Sequence, residues 1–139
     1  MKFSSKSQLF LWIFALLIGL TSFIIYPKLP ATIPTHWNAM GEIDGYSGKS
    51  MIFFLAFLPL LMASLLDVFP RIDPKRKSYE VHKKEYNIVV FAIVLFMTII
   101  YGATAAVALG YSVPVANLIK VCVAILFIII GSVLKRFQH

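Results

Sequence analysis

The sequence predicts an all-α membrane protein. Its four transmembrane helices form an antiparallel bundle with both termini inside, a structured extracytoplasmic loop between helices 1 and 2, and a cytoplasmic extension of helix 3. Three observations predict this. The 139 residues are 60% hydrophobic and 14% charged, with mean hydropathy +0.85, whereas soluble domains carry about 45–50% apolar and about 25% charged residues. Four apolar runs, Leu9–Tyr26, Met51–Phe69, Asn87–Leu109 and Asn117–Leu134, each approach the length that spans a bilayer core, about 20 residues at 1.5 Å rise. The basic residues between the runs fall mostly on one side.

Helix 1 covers about residues 9–26. Lys2 and Lys6 give it a positive start, but its apolar run exceeds the about 7–15 residues of a signal peptide and no A-x-A-like site follows, so it reads as an uncleaved anchor. Residues 27–50 form the outer loop and residues 51–69 helix 2. Helix 3 is expected over 74–109: Asp73 is an N-cap type followed by Pro74 at the first helical position, and no Pro or Gly interrupts the chain from there to Tyr101. Glu80 lies at helical spacing from Lys83 and Lys84. Helix 4 covers 117–134, so residues 1–139 form a single domain. Gly102, Ala106 and Gly110, and more weakly Ala15 and Gly19, make small-xxx-small series that read as bundle packing.

The net charge of +7 is explained by membrane insertion rather than by nucleic acid as a partner. Lys2, Lys6, Arg71, Lys75, Arg76, Lys77, Lys83, Lys84, Lys135 and Arg136 share one side, ten of the thirteen basic residues; Lys28, Lys49 and Lys120 share the other. The positive-inside rule then puts the termini and the middle connector in the cytoplasm. Trp12, Tyr26, Trp37, Tyr46, Tyr86 and Tyr111 lie near helix ends or in adjoining loops, where amphipathic rings anchor at headgroups.

No constellation for catalysis emerges, and the protein reads as a non-enzyme without cofactors. There is no HExxH, G-x-S-x-G, phosphate loop or Cys/His ligand cluster. Cys122 lies in an apolar helix with no basic neighbour in sequence to activate its thiol. His36, Glu42 and Asp44 are donor types in one loop, but a lone His with two acids falls short of a closed ligand set, so no metal site is assigned. Transport is not indicated either: Asp67 sits at the end of helix 2 within reach of Arg71, and Lys120 can snorkel.

Specific recognition therefore falls to the polar loop. Pro30, Pro34, Gly41 and Asp44-Gly45 read as turns that give it a fixed shape. The pattern Leu29-Pro30-x-x-Ile33-Pro34-Thr35-His36-Trp37-Asn38, then Gly41-x-x-Asp44-Gly45 and Lys49, resembles the signature of a bacterial membrane domain of unknown function, number 1648, which forms the N-terminal part of SdpI-type immunity proteins. Arg71-Ile72-Asp73-Pro74-Lys75, with Tyr79 and Tyr86, resembles the next block of that family.

The resemblance implies a multi-pass protein of the bacterial plasma membrane that protects against a toxic peptide or senses envelope stress. Longer members continue into a second domain; Gly131-Ser132-Val133-Leu134-Lys135 resembles the start of that continuation, and the SdpI half beyond it is absent from this sequence. The alternative is a structural or interaction module of a larger membrane complex. Partners are then the lipid bilayer and either a toxic peptide or another membrane or cytoplasmic protein. Tyr79, His82 and Tyr86 fall at helical spacing and offer contact residues for a soluble partner, although the basic connector is explained as readily by topology and anionic headgroups.

Overall fold

The computed structural model describes residues 5–75, 77 and 81–137. Among these, four helices are long and apolar enough to cross a membrane. They are α1 (Ser5–Ile25), α2 (Met51–Ile72), α3 (Lys83–Ala108) and α4 (Val115–Phe137). A lipid interior offers no hydrogen bonds, so continuous apolar runs of this length satisfy their backbone as helices. α3 packs against both α2 and α4, and α1 packs against α2. α3 supplies the buried residues Tyr86, Val90, Val94, Tyr101, Ala103, Thr104 and Ala105.

Two apolar clusters stack along the bundle. At one end Ile18, Leu29, Ile33, Ile52, Ala56, Tyr101 and Ala105 pack together. At the other Leu11, Ala63, Tyr86, Val90 and Val94 do so. Pro59 lies in α2 between Ala56 and Ala63 and is fully buried. Having no N–H, it leaves one carbonyl of α2 without its intrahelical donor.

The chain is not all-α. After a 3₁₀ turn (Tyr26–Lys28), the loop between α1 and α2 folds as an antiparallel hairpin of β1 (Thr32–Trp37) and β2 (Ile43–Gly48). Turn formers leave no room for a helix here, and backbone groups that cannot bond along a helix pair across a ladder instead. Both strands are edges, where Pro34 is tolerated.

Three further boundaries depart from the sequence expectation. α2 continues through Pro70 to Ile72 rather than stopping at residue 69. Asp73 does cap, with Oδ1 accepting the Lys75 N–H at 2.8 Å, but residues 74 and 75 form a turn. Lys77 and Val81 are helical, but α3 itself begins at Lys83, after His82 at φ −107°, ψ 33° outside the helical region. The Tyr86 hydroxyl docks on α2 just beyond that point, and tertiary contact overrides uninterrupted local propensity. Glu80 and its expected pairing lie outside the described residues. At the other end of α3, Gly110 takes φ +98°, with bonds from Gly110 N–H to Val107 O and from Tyr111 N–H to Ala106 O. That is a Schellman cap, so Gly110 ends the helix instead of packing it. Gly102 is exposed, and a Cβ there or at Gly19 meets nothing within 4 Å, so neither glycine seats a neighbouring backbone. α4 starts at Val115, immediately after Pro114 and two residues earlier than 117.

Candidate functional site

The hairpin is built from its tip. Asn38 organises the turn: its carbonyl accepts the Gly41 N–H at 3.0 Å, and its Oδ1 accepts the N–H groups of Met40 (2.9 Å) and Glu42 (3.0 Å). Asn at the first turn position and Gly at the fourth follow the usual chemistry of such turns. Gly41 sits at φ +84°, and a Cβ there would lie 2.6 Å from Ala116 Cβ at the start of α4. The tip therefore rests directly on α4.

The hairpin base is fixed to the helix ends. Ile33 has no exposed surface and packs with Leu29, Ile52, Tyr101 and Ala105. Full burial of such a side chain contributes about 1.5–3 kcal/mol. Pro34 is also buried, and Lys49 closes the loop by donating its N–H to Ala31 O at 3.1 Å. The Lys49 ammonium stands 4.5 Å over the Tyr26 ring, a cation–π contact that draws its aliphatic stem along the ring face.

One face carries the polar chemistry. His36 Nδ1 bonds the Asp44 carboxylate across the strands, and both side chains are exposed. An exposed pair contributes about 0–1 kcal/mol, far less than Ile33, so it orients the imidazole rather than holding the fold. Gly45 lies opposite His36, and a Cβ there would come 3.0 Å from the His36 Cβ. Thr35 and Ser47 link their hydroxyls across the strands at 2.9 Å. Trp37 is half-buried and Tyr46 exposed, while Pro30 stands exposed ahead of β1.

Thus the structure joins His36 to Asp44 by their side chains and sets Gly45 opposite His36 in the register, puts Asn38 and Gly41 in the turn, and uses Pro34 for packing and Lys49 for closure. Among the described residues no group of three or more His, Cys, Asp or Glu side chains is placed to hold a metal ion.

The second block does separate work at the opposite end. Arg71 donates to the Asp67 carboxylate at 2.7 Å, one turn apart as their spacing predicts. Tyr86 turns inward and donates to the Leu66 carbonyl, so it does not share an open docking face with His82. Tyr79 lies outside the described residues. Sequence reasoning missed Ser22 and Tyr101, whose hydroxyls bond each other in the core between α1 and α3. Ser22 also donates to Ile18 O at 3.2 Å. The available signal was a serine inside an otherwise apolar run.

These features define a membrane protein of apolar spanning helices that carries a docked hairpin between its first two spans. Residues 10–63 match the family described as Domain of unknown function (DUF1648), which supports such a domain over α1, the hairpin and the first half of α2. Comparison with curated proteins and with solved structures gives no match.

Proposed function

We propose that this chain is a non-enzymatic immunity or sensing protein of the bacterial plasma membrane, with the hairpin outside the cell and the basic connector in the cytoplasm. The observation that carries the reading is the hairpin itself. It is a small sheet anchored by buried Ile33 and Leu29, whose two outer edges pair with no further strand among the described residues, and it carries an exposed His36–Asp44 pair. An extended peptide adds readily to an exposed strand edge, where main-chain bonds supply affinity and neighbouring side chains supply selectivity. The ten-to-three split of basic residues supports the orientation.

The test is survival of a sensitive bacterial strain expressing the chain, challenged with a panel of membrane-active peptides. Protection against at least one peptide, lost in His36→Ala or Asp44→Ala at unchanged membrane abundance, supports the reading. Equal killing with and without the parent chain across the panel overturns it.

One observation favours the alternative of a module within a larger complex. The span in α4 has only 6% of its apolar window buried, against 33% for α3, which leaves most of α4 open to a lateral partner. Co-purification of a larger membrane protein at fixed stoichiometry, without any protection phenotype, would favour that role.

A further inference from the structure

The two edges of the hairpin are not equivalent. Pro34 lies opposite Tyr46 and has no N–H, so this pair cannot exchange ladder bonds and its main-chain groups point away from the partner strand. Thr32 and Gly48, two residues along, fall in the same class, and the bond from Lys49 N–H to Ala31 O flanks them as that class requires. The outward groups of β2 therefore include the N–H and C=O of Tyr46 and Gly48. Among the described residues neither makes a main-chain bond outside the ladder. On β1 the matching position of Pro34 lacks a donor, and α3 packs against that strand. No helix packs comparably on β2. Proline, lysine and covering elements are what guard a strand edge against pairing. β1 has a proline and a covering helix; β2 has neither, and no lysine between Ile43 and Gly48.

The sheet lies with one face down. Ile33 and Ser47 are registered partners and share a face, on which Ile33 packs with Ile52, Tyr101 and Ala105. Tyr46 and Gly48, on the other face, are exposed. The hairpin base joins the ends of α1 and α2 and its tip rests on Ala116 of α4. The sheet thus spans the end of the bundle, and its unguarded edge points sideways, along the membrane surface.

We propose that this edge pairs with the β2 edge of a second copy of the chain, across a two-fold axis that passes by Ser47 along the membrane normal. Antiparallel pairing about Ser47 sets Tyr46 opposite the second copy's Gly48, and each outward N–H of these residues meets an outward C=O with none left over. Each Tyr46 side chain, in a residue 62% exposed in the single chain, then lies over a glycine of the other copy, covering bare backbone as cross-strand aromatics do. Serine meets serine at the axis, where facing side chains come closest. Asp44 falls opposite Ser50, beyond the paired residues, so the two carboxylates stand at opposite ends of the joint. Tyr46-Ser47-Gly48 is therefore complementary to itself, and two copies in one membrane share the orientation that the pairing needs. The dimer does not rest on the peptide reading above: it holds whether or not a peptide displaces the second copy.

The experiment uses the full chain in membranes, in a Cys122→Ala background. Ser47→Cys places thiols at the axis, where the Cα atoms of such a pair stand about 4.5 Å apart, within the reach of a disulfide. Oxidation with copper phenanthroline should give a covalent dimer in a yield about tenfold above that of Met40→Cys, an exposed tip residue away from the joint. Tyr46→Pro removes an outward N–H while sparing the ladder to β1, as Pro34 does on the facing strand, and should cut the Ser47→Cys yield about tenfold. Tyr46→Phe keeps the ring and should leave that yield within about twofold. Hydrogen exchange of the β1 amides, unchanged in Tyr46→Pro, separates loss of pairing from loss of the hairpin. Equal yields from Met40→Cys and Ser47→Cys mean random collision and overturn the joint. A Ser47→Cys yield unmoved by Tyr46→Pro means association through the helices and overturns it too. So does a chain that stays monomeric on oxidation and protects its β2 amides only when an extended peptide is added.

Discussion

The Tyr86 hydroxyl donates to the Leu66 carbonyl, the acceptor that Pro70 leaves open within α2. In an α-helix the carbonyl of residue 66 expects the N–H of residue 70, and proline has none. A side chain from α3 thus repairs a missing rung of α2 and joins the two helices in one bond.

That relationship predicts a coupling. Tyr86→Phe should destabilise the bundle by about 0.5–1.5 kcal/mol in detergent unfolding, because a carbonyl loses its donor. In a Pro70→Ala background the helix supplies its own N–H, and Tyr86→Phe should then cost no more than a few tenths. A double-mutant cycle read by reversible unfolding measures the difference. Equal costs in both backgrounds would show that Tyr86 acts by packing alone.

The second prediction concerns α1 and α3. Ser22→Ala and Tyr101→Phe each remove one side of the same buried bond. Each should cost about 0.6–1.7 kcal/mol, the range for hydroxyl bonds between membrane helices. The double variant should lose little beyond the larger single loss. Additive losses in the same unfolding assay would separate the two hydroxyls.

The third concerns the hairpin tip. Gly41→Ala places a methyl 2.6 Å from Ala116 Cβ on a backbone at φ +84°. The conformation alone costs about 1–2 kcal/mol for an L-residue, and the contact adds to it. Hydrogen exchange across residues 32–48 should rise, while the helices should keep their protection. Ala116→Gly in the same chain should recover part of the loss by removing the clash, and the remainder reports the strained φ.

The fourth tests the proposed orientation. In a Cys122→Ala background, a cysteine at Ser47 should react with an impermeant thiol reagent in intact cells. One at Lys77 should react only after permeabilisation. The reverse pattern would place the hairpin in the cytoplasm.

How much of this was legible in the sequence differs from element to element. The spans were readable because a run such as Leu9–Tyr26 has no alternative in lipid. The hairpin was readable as an ordered loop but not as strands. Pro34 and Gly45 interrupt the alternation that marks a strand, and Ile43 and Tyr46 lie three positions apart rather than two. Pairing His36 with Asp44 needed the register, because their separation in sequence does not indicate a contact. Gly110 was misread because spacing alone does not distinguish a packing glycine from a capping one. The discriminating signal was downstream, in Pro114, which cannot continue the helix. Tyr86 was assigned to the surface because a tyrosine near a helix end usually anchors at headgroups. Its inward role depends on the open carbonyl of Leu66, which stands 20 positions earlier in the chain and comes within reach only by folding.

Pro59 gives α2 a mechanical character that its length alone does not suggest. With no amide proton at that position, the rod lacks one longitudinal tie between the layer containing Ala56 and the layer containing Ala63. Bending there strains one hydrogen bond fewer than bending through a turn with every N–H present. The two layers are therefore joined by a compliant joint. The hairpin end of α2 and the end braced by Tyr86 and Leu66 lie on opposite sides of that joint.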